Sequence, residues 1–298
     1  MSIEVRPAES DADLAAFIRI RRAIFPNESG GTVELYRGQL ADNPERRLLV
    51  AALDGEVVGE GLVDRSDLGD RYSVKVRVLP EARRRGVGTA LLRELVSHAD
   101  GDIVATHLEE EGSRPFAERF GFRETDRQVE QVKKLGREPV PPQLPEAIEV
   151  VTVAERPELL REAYPLVSEG YHDMALERPA EISLENWLRD NEAILAEGSF
   201  VALAGDEIVG YSGLVDHDNP GVAEDGITVV RRDWRRRGLA SALKRMELAW
   251  AAENGLREVV TWTQQGNEGM RELNEWLGYE YRDVTITMVA PLPLPGLA

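Results

Sequence analysis

Two stretches of the sequence place three consecutive arginines and a glycine directly before an apolar helical pattern. Residues 78–88 read VLPEARRRGVG, and residues 230–240 read VRRDWRRRGLA. The start of a helix carries N–H groups without helical partners and the positive end of the helix dipole, and glycine lets a phosphate approach the backbone closely. The alternative is a solvated, arginine-rich helix start, and its recurrence in the same setting argues against it. Both stretches therefore predict phosphate-binding loops.

The elements that must position these loops follow one pattern in both halves of the chain. Each loop comes after an apolar strand and before an amphipathic helix, which predicts an α/β fold. The second half predicts strands at residues 202–204, 208–214, 224–230 and 258–263, with helices at 239–254 and 268–277. The first half predicts strands at residues 48–53, 57–63, 74–79 and 103–107, with helices at 87–98 and 113–120.

Four matching segments occur twice in the same order. IEVRPAESDADL resembles IEVVTVAERPEL, GEVVGEGLVD resembles DEIVGYSGLVD, RRRGVGTALL resembles RRRGLASALK, and FGF resembles LGY. Such a series predicts a duplicated domain. Prolines crowd the stretch between the copies, where they disfavour helices and central strands. We therefore expect an N-terminal domain at residues 1–137, a proline-rich linker at 138–147 and a C-terminal domain at 148–291.

The loop residues resemble the signature [QR]-x-x-G-x-[GA] of the GNAT superfamily of N-acetyltransferases. The first copy matches with Arg83, Gly86 and Gly88, and the second with Arg235, Gly238 and Ala240. The layout resembles the tandem, two-domain type, of which mycothiol synthases are examples. The resemblance implies two GNAT folds, each a mixed, mostly antiparallel sheet flanked by helices. It also implies acetyl-CoA as co-substrate and transfer of an acetyl group to a primary amine of a small molecule.

The resemblance further implies which residues contact the coenzyme. The strand end would pair with the pantetheine arm, and the loop N–H groups would hold the pyrophosphate. A later block of the second copy resembles the family's T…N…M…N…LGF segment, although Asn267 could equally be a helix N-cap. The expected coenzyme residues are Val230, Arg235, Arg236, Arg237, Gly238, Leu239, Ala240, Ser241, Asn267 and Asn274, and in the first copy Val78, Arg83, Arg85, Gly86, Gly88 and Thr89.

A catalytic base is expected only in the second copy. Side chains on one face of a strand recur every two residues, so counting back from Val230 through Thr228 reaches Glu224. In some tandem GNATs a glutamate six residues before this valine is the proposed base. Asp225 could take the role after a one-residue register error, and an exposed strand-end carboxylate is the alternative. The same count in the first copy reaches Tyr72, so we expect the N-terminal domain to be non-catalytic.

The sequence gives weaker signals for the general acid and the acceptor pocket than for the coenzyme loop. Many GNATs place a tyrosine four residues before the last glycine, where this chain has Ala117 and Asn274. Tyr279 and Tyr281 are possible substitutes, and solvent could also protonate a thiolate. Residues 171–174 and Trp187 could line an acceptor cleft or belong to an ordinary helix and turn.

Composition narrows the function further. The net charge is −18, concentrated in the second half, which disfavours nucleic acid and favours cationic acceptors. There is no cysteine, which excludes a thiol nucleophile and thiolate metal sites. No signal core or membrane-spanning run is present, so we expect a cytoplasmic protein, monomer or homodimer. The alternatives to a small-molecule N-acetyltransferase are a non-catalytic acetyl-CoA sensor and a protein N-acetyltransferase.

Overall fold

The computed structural model describes residues 2–25, 31–66, 71–108, 111–136, 144, 147–173, 182–217 and 219–297. The chain forms two compact units. Unit 1 comprises Met1–Thr125 with Thr285–Ala298, and unit 2 comprises Asp126–Val284. No helix in the described ranges is long and apolar enough to cross a membrane.

Unit 1 is a six-stranded sheet with helices. Its strands lie in the order β1-β2-β3-β4-β5-β12, and all neighbours are antiparallel except β4 and β5. The elements are β1 (Ile3–Pro7), α1 (Asp11–Ile24), α2 (Val33–Asp42), β2 (Arg47–Leu53), β3 (Glu56–Ser66), β4 (Arg71–Val78), α3 (Val87–Ser97), β5 (Ile103–Leu108), α4 (Arg114–Arg119) and β12 (Glu280–Pro291).

Unit 2 repeats this plan. Its strands lie in the order β6-β11-β10-β9-β8-β7, with β10 and β11 as the parallel pair. The elements are β6 (Arg123–Lys134), β7 (Ile148–Thr152), α5 (Glu158–Glu162), α6 (Tyr164–His172), α7 (Leu184–Asp190), β8 (Phe200–Ala204), β9 (Glu207–Asp216), β10 (Val222–Val230), α8 (Leu239–Glu253), β11 (Glu258–Gln264) and α9 (Glu268–Trp276).

The last strand of each sequence repeat belongs to the other unit. β6 ends the first repeat but pairs with β11 of unit 2, and β12 ends the second repeat but pairs with β5 of unit 1. The compact units therefore differ by one strand each from the segments 1–137 and 148–291. Of the linker expected at residues 138–147, only Leu144 and Ala147 lie within the described residues.

The strands and helices predicted around both loops are confirmed to within a few residues. In unit 2 they place one apolar layer on each face of the sheet. Leu166 and Val167 of α6 pack with Val229 on one face, while Leu239 and Leu243 of α8 pack with Val230 on the other. Leu239 and Leu243 are one helical turn apart, which is why they share the buried face of α8. The central strand β10 is thus covered by α6 on one side and by α8 on the other.

Candidate active site

The two central strands of unit 2 separate partway along their length. β10 pairs with β9 as far as Val230, but its parallel ladder with β11 covers only residues 222–224. Beyond the ladder, the Thr261 hydroxyl donates to the carbonyl oxygen of Asp225 at 3.1 Å. In the described part of the chain no strand pairs with this edge of β10 between Asp225 and Val230. A backbone edge of this kind offers N–H and C=O groups to an extended ligand.

The loop after β10 has the backbone of an anion site. It makes one 3₁₀ turn, Arg232–Trp234, and then passes through two left-handed residues, Arg236 (φ 63°) and Gly238 (φ 82°). Gly238 precedes α8, and no side chain caps that helix end. The N–H groups of the first turn are therefore open to a ligand, and alternating left-handed residues are typical of anion-binding loops. A Cβ at Gly238 would meet no atom within 4 Å, so the space before the helix is open.

The arginines of this loop have different roles. The Arg235 Nε donates to the carbonyl oxygen of Val230 at 2.8 Å, and its Nη2 donates to Asp173 at 2.6 Å. The Arg237 Nη2 donates to a loop carbonyl at 2.9 Å, and its guanidinium stacks on Trp234 at 4.6 Å. Arg235 and Arg237 therefore hold the loop in shape. Arg236 is exposed and makes no ion pair or hydrogen bond with any described side chain, which leaves its charge available to a phosphate.

The other expected coenzyme residues after Arg237 contribute backbone more than side chain. Leu239 is buried in the α8 core and can offer only its N–H group. Ala240 and Ser241 are half-buried in the first helical turn.

Unit 1 has a loop of the same backbone shape. Arg84 (φ 61°) and Gly86 (φ 88°) are left-handed, and α3 begins without a side-chain cap. The Arg83 Nε donates to the carbonyl oxygen of Val78 at 3.0 Å, as Arg235 does to Val230. Arg84 corresponds to Arg236 and is likewise exposed, although it was not among the residues expected from the sequence. Its position between Arg83 and Arg85 was the sequence signal that could have identified it.

The remaining candidates of unit 1 lie close to neighbouring side chains. Arg85 lies 3.8 Å from the Asp54 carboxylate. A Cβ at Gly88 would lie 3.4 Å from the Phe116 ring, and Thr89 is half-buried. An aromatic ring therefore contacts the first turn of α3 in this unit.

A β-bulge in β10 changes the face on which Glu224 lies. The register against β9 shifts between Asp225 and Ile227, so Gly226 is an extra residue in the strand. Asp225 consequently shares the α8 face with Thr228, whose hydroxyl donates to its carboxylate at 3.2 Å. Glu224 therefore shares the α6 face with Ile227. The prediction that Glu224 lies on the face of Thr228 and Val230 was wrong, because period-two counting assumes a strand without a bulge.

Glu224 is half-buried at the end of the parallel ladder, where β10 and β11 begin to separate. Burial, followed by the charges of Asp225 and Glu130, raises its pKa to about 7. Burial and the charges of Asp190 and Glu224 raise the pKa of Tyr171 on α6. Glu130 itself is held by two hydrogen bonds of 2.6 Å from the Arg282 guanidinium. A carboxyl group with a pKa near neutrality is suited to exchange protons at physiological pH.

Asp225, the alternative base, has a different environment. It is 2% exposed, and its carboxylate forms an ion pair with Lys244 of α8. It faces the interior of the unit, away from α6. This geometry favours Glu224 over Asp225 as the group that meets a substrate.

A family model described as the acetyltransferase (GNAT) family matches residues 14–122 and 158–279, which is most of the chain in two consecutive copies. The chain belongs to the GNAT family of acetyltransferases. Among its relatives is a mycothiol acetyltransferase of Saccharomonospora viridis, 29% identical over 254 residues that cover 79% of this chain and 81% of that protein. A mycothiol acetyltransferase of Geodermatophilus obscurus is 27% identical over 294 residues, covering 93% of this chain and 94% of its own.

Solved structures agree with the tandem GNAT fold. A GCN5-related N-acetyltransferase from Sphaerobacter thermophilus superposes with a TM-score of 0.77 at 21% identity, covering 97% of this chain and 95% of its own. A tandem GNAT protein from the clavulanic acid biosynthesis pathway gives a TM-score of 0.74 at 22% identity, covering 97% and 98%. Family membership makes this chain an acyltransferase, and GNAT enzymes generally use acetyl-CoA.

The two asparagines of the second GNAT motif lie in contrasting places. Asn267 precedes α9, but its side chain does not cap the helix and is exposed. Its exposed side-chain amide is accessible to a ligand. Asn274 is fully buried, and its Nδ2 donates to Gln131 at 3.0 Å and to Thr263 at 3.3 Å. A side chain without exposed surface offers no face to the coenzyme, so the structure places Asn274 in the support of β11 and β6 instead.

The two tyrosines considered as substitutes for the missing GNAT acid also differ in burial. Tyr279 is 4% exposed and packs in the core, where its ring lies 5.4 Å from the Lys244 ammonium. Tyr281 is 48% exposed, and its hydroxyl donates to Glu275. Ala117, which occupies in unit 1 the position of Asn274, is buried.

The residues expected at the acceptor pocket divide among three environments. Tyr171 lies on α6, where burial, followed by the charges of Asp190 and Glu224, raises its pKa. The His172 ring bonds the Ser168 carbonyl oxygen at 2.7 Å. Asp173 pairs with the loop arginines, and Trp187 is 1% exposed in the core, so it cannot line a cleft. Met174 lies outside the described residues.

Proposed function

We propose that unit 2 transfers the acetyl group of acetyl-CoA to a primary amine of a small molecule, with Glu224 as the general base. The observation that carries the proposal is the position of Glu224. A half-buried carboxyl with a pKa of about 7 lies where the central strands separate, on the edge that leads to the anion loop. General bases are most effective when their pKa is near the working pH.

The residues present suit the coenzyme. The unpaired edge of β10 supplies backbone groups to the amides of pantetheine. The loop from Arg235 to Ser241 supplies first-turn N–H groups to the pyrophosphate, with the exposed Arg236 guanidinium beside it. The open space before Gly238 and the uncapped helix start support this assignment. Asn267 offers a further side-chain amide.

The reaction then needs one proton acceptor and one proton donor. Glu224 takes a proton from the ammonium, directly or through a water, which leaves the amine lone pair free. The nitrogen attacks the thioester carbonyl, the C–N bond forms, the C–S bond breaks, and the nitrogen releases its second proton to solvent to give the neutral amide. The thiolate takes its proton from solvent, because its pKa makes it a modest base. Asn274, where many GNATs have a tyrosine, supplies no phenol.

Unit 1 lacks the base. Its strand β4 pairs with β3 without a register shift, so Arg77, Lys75 and Ser73 follow one another on the face that carries Glu224 in unit 2. Ser73 takes the place of Glu224. On the same face, the Arg77 guanidinium donates to buried Glu60 at 2.7 Å. We therefore propose that unit 1 is non-catalytic.

The relatives suggest one specific acceptor to test. Two of them are mycothiol acetyltransferases, so the amine that such enzymes acetylate is the first small molecule to assay. The acidity of the second half is consistent with a cationic amine acceptor. We propose a cytoplasmic enzyme acting on such amines, with no nucleic-acid or membrane partner.

The proposal is tested by release of free coenzyme from acetyl-CoA with a panel of small amines and lysine peptides. Glu224→Gln should lower kcat by about 10²–10⁴-fold while acetyl-CoA still binds. Glu272→Gln is a matched control, since Glu272 is an exposed carboxylate in the same unit with no partner among the described residues. Full turnover by Glu224→Gln would refute its role. Acetyl-CoA binding without turnover on any amine would favour a sensor, and turnover on peptides alone a protein N-acetyltransferase.

A further inference from the structure

Five polar side chains, all of them buried except half-buried Thr228, form a cluster beneath the bulge of β10. Lys244 and Glu247 come from α8, Asp225 and Thr228 from β10, and Ser212 from β9. Lys244 and Glu247 are each 1% exposed and Asp225 2%. Lys244 forms an ion pair with Asp225, and the Ser212 and Thr228 hydroxyls lie 2.8 Å apart. Taking such charges out of water is expensive, and apolar residues of similar size commonly serve stability as well or better.

Unit 1 shows that the fold does not need these charges. Its equivalents follow from the RRRG alignment of α3 with α8 and from the strand registers of β3 and β4. Ser212 corresponds to Gly61, where a Cβ would lie 2.8 Å from the Leu95 side chain. The equivalents of the three charged residues are apolar and buried: Val74 for Asp225, Leu92 for Lys244 and Leu95 for Glu247. The same architecture thus forms an apolar layer in one unit and a charged one in the other.

The cluster coincides with the bulge that sets the direction of Glu224. The Asp225 carboxylate binds Lys244 and accepts from Thr228, while the Asp225 carbonyl accepts from Thr261 at 3.1 Å. Asp225 is therefore fixed to α8, to its own strand and to β11. A residue fixed at three points, directly before the extra residue Gly226, leaves its neighbour Glu224 on the α6 face. β4 of unit 1 has neither the bulge nor the cluster.

We propose that Asp225, Lys244 and Glu247 are positioning residues for acetyl transfer, which hold the bulge so that Glu224 faces the acceptor side. The inference rests on the proposed function, because it assigns a purpose to the orientation of the base. The cluster touches no reacting atom and acts only through Glu224.

The charged groups around Glu224 allow the positioning role of the cluster to be tested also by the pKa of Glu224. Asp225 precedes the bulge, Tyr171 faces Glu224 from α6, and Glu130, held by Arg282, faces it from β6. The negative charge of Asp225 raises the pKa of Glu224, and burial favours a neutral Glu247 by raising its pKa well above the ordinary value. Replacing Asp225 and its partner by apolar residues should therefore lower the pKa of Glu224.

The test uses a variant of the full chain that carries the residues of unit 1, Asp225→Val, Lys244→Leu and Glu247→Leu together. No partner is left alone in a buried site, so the variant should fold and melt no lower than the parent. It should bind acetyl-CoA with unchanged affinity. Displacement of the base should lower kcat by about 10- to 100-fold, and the acidic limb of the pH–rate profile should move to lower pH.

The same triple substitution in a Glu224→Gln background separates positioning from general structural damage. If the cluster acts through Glu224, the triple substitution lowers kcat no further in that background, because residues acting as a unit are non-additive. An equal loss of kcat in both backgrounds would overturn the inference, as would unchanged kcat and pH profile in the triple variant of the parent. Full activity of Glu224→Gln alone would instead refute the proposed function, so the two failures are distinguishable.

Discussion

Replacing Gly238 by alanine tests the anion loop at its most exposed point. Gly238 has φ 82° and lies before the first turn of α8, and a Cβ added there would have no atom within 4 Å. The substitution therefore causes no steric clash within the protein. It has two separable effects: strain in the left-handed backbone, and a methyl group in the space that a phosphate must enter.

The two effects have different magnitudes. A left-handed conformation costs a residue other than glycine about 1–2 kcal/mol, which lowers the Tm of a domain of this size by roughly 2–8 °C. Loss of one charge-assisted hydrogen bond between phosphate and backbone costs about 1.5–3 kcal/mol. That corresponds to an increase of roughly 10- to 150-fold in the Kd for acetyl-CoA.

Gly205→Ala is the matched control. Gly205 also has a positive φ (63°) and open space around its Cβ position, but it lies in the turn between β8 and β9. Both variants should lose comparable Tm in thermal melts, whereas only Gly238→Ala should weaken acetyl-CoA binding in calorimetry. Unchanged affinity in Gly238→Ala would refute the assignment of this loop, and equal weakening in both variants would show that strain alone is responsible.

Three further outcomes follow from the site. Because folding raises the pKa of Glu224 to about 7, the ionisation of Glu224 opposes folding as the pH rises above the pKa of the unfolded chain. The Glu224→Gln variant should therefore be more stable than the parent above pH 7, by at most about 3 kcal/mol, and equally stable below pH 4. Chemical denaturation across this pH range measures the difference. Arg235→Lys should raise the KM for acetyl-CoA with a smaller change in kcat, because lysine cannot bond both Val230 and Asp173 as arginine does; an unchanged KM would contradict this. Gly86→Ala in unit 1 should leave kcat unchanged, and a large loss would place chemistry in unit 1.

The loops could be predicted from the sequence because their determinants are local. The left-handed residues, the following helix and the arginine bound to the strand end all lie within about ten residues of each other. The same holds for the hairpin at Gly205 and for the helix that begins at Leu239. Local patterns of this kind determine backbone conformation before any tertiary contact is considered.

The direction of Glu224 could not be read by counting because strand register is a property of two strands. A signal was present, because Gly226 interrupts a strand pattern. An isolated glycine in a strand commonly marks a bulge. The exchange of β6 and β12 between the units left no comparable signal, because it depends on which sheet edge each strand meets.

The two units share the backbone of the anion loop, but only unit 2 has Glu224 and the buried cluster. Unit 1 keeps the strained Arg84 and the bond from Arg83 to Val78, so its loop has the shape of the one in unit 2. Backbone strain of this kind persists only where the surrounding structure imposes it. Here the loop imposes it, because the Arg83 side chain binds the carbonyl oxygen at the end of β4. The direction of Glu224 depends instead on the bulge, beneath which charged residues of β10 and α8 meet. A duplicated GNAT domain can therefore lose Glu224 and its buried cluster while the loop remains intact, which is the arrangement seen in unit 1.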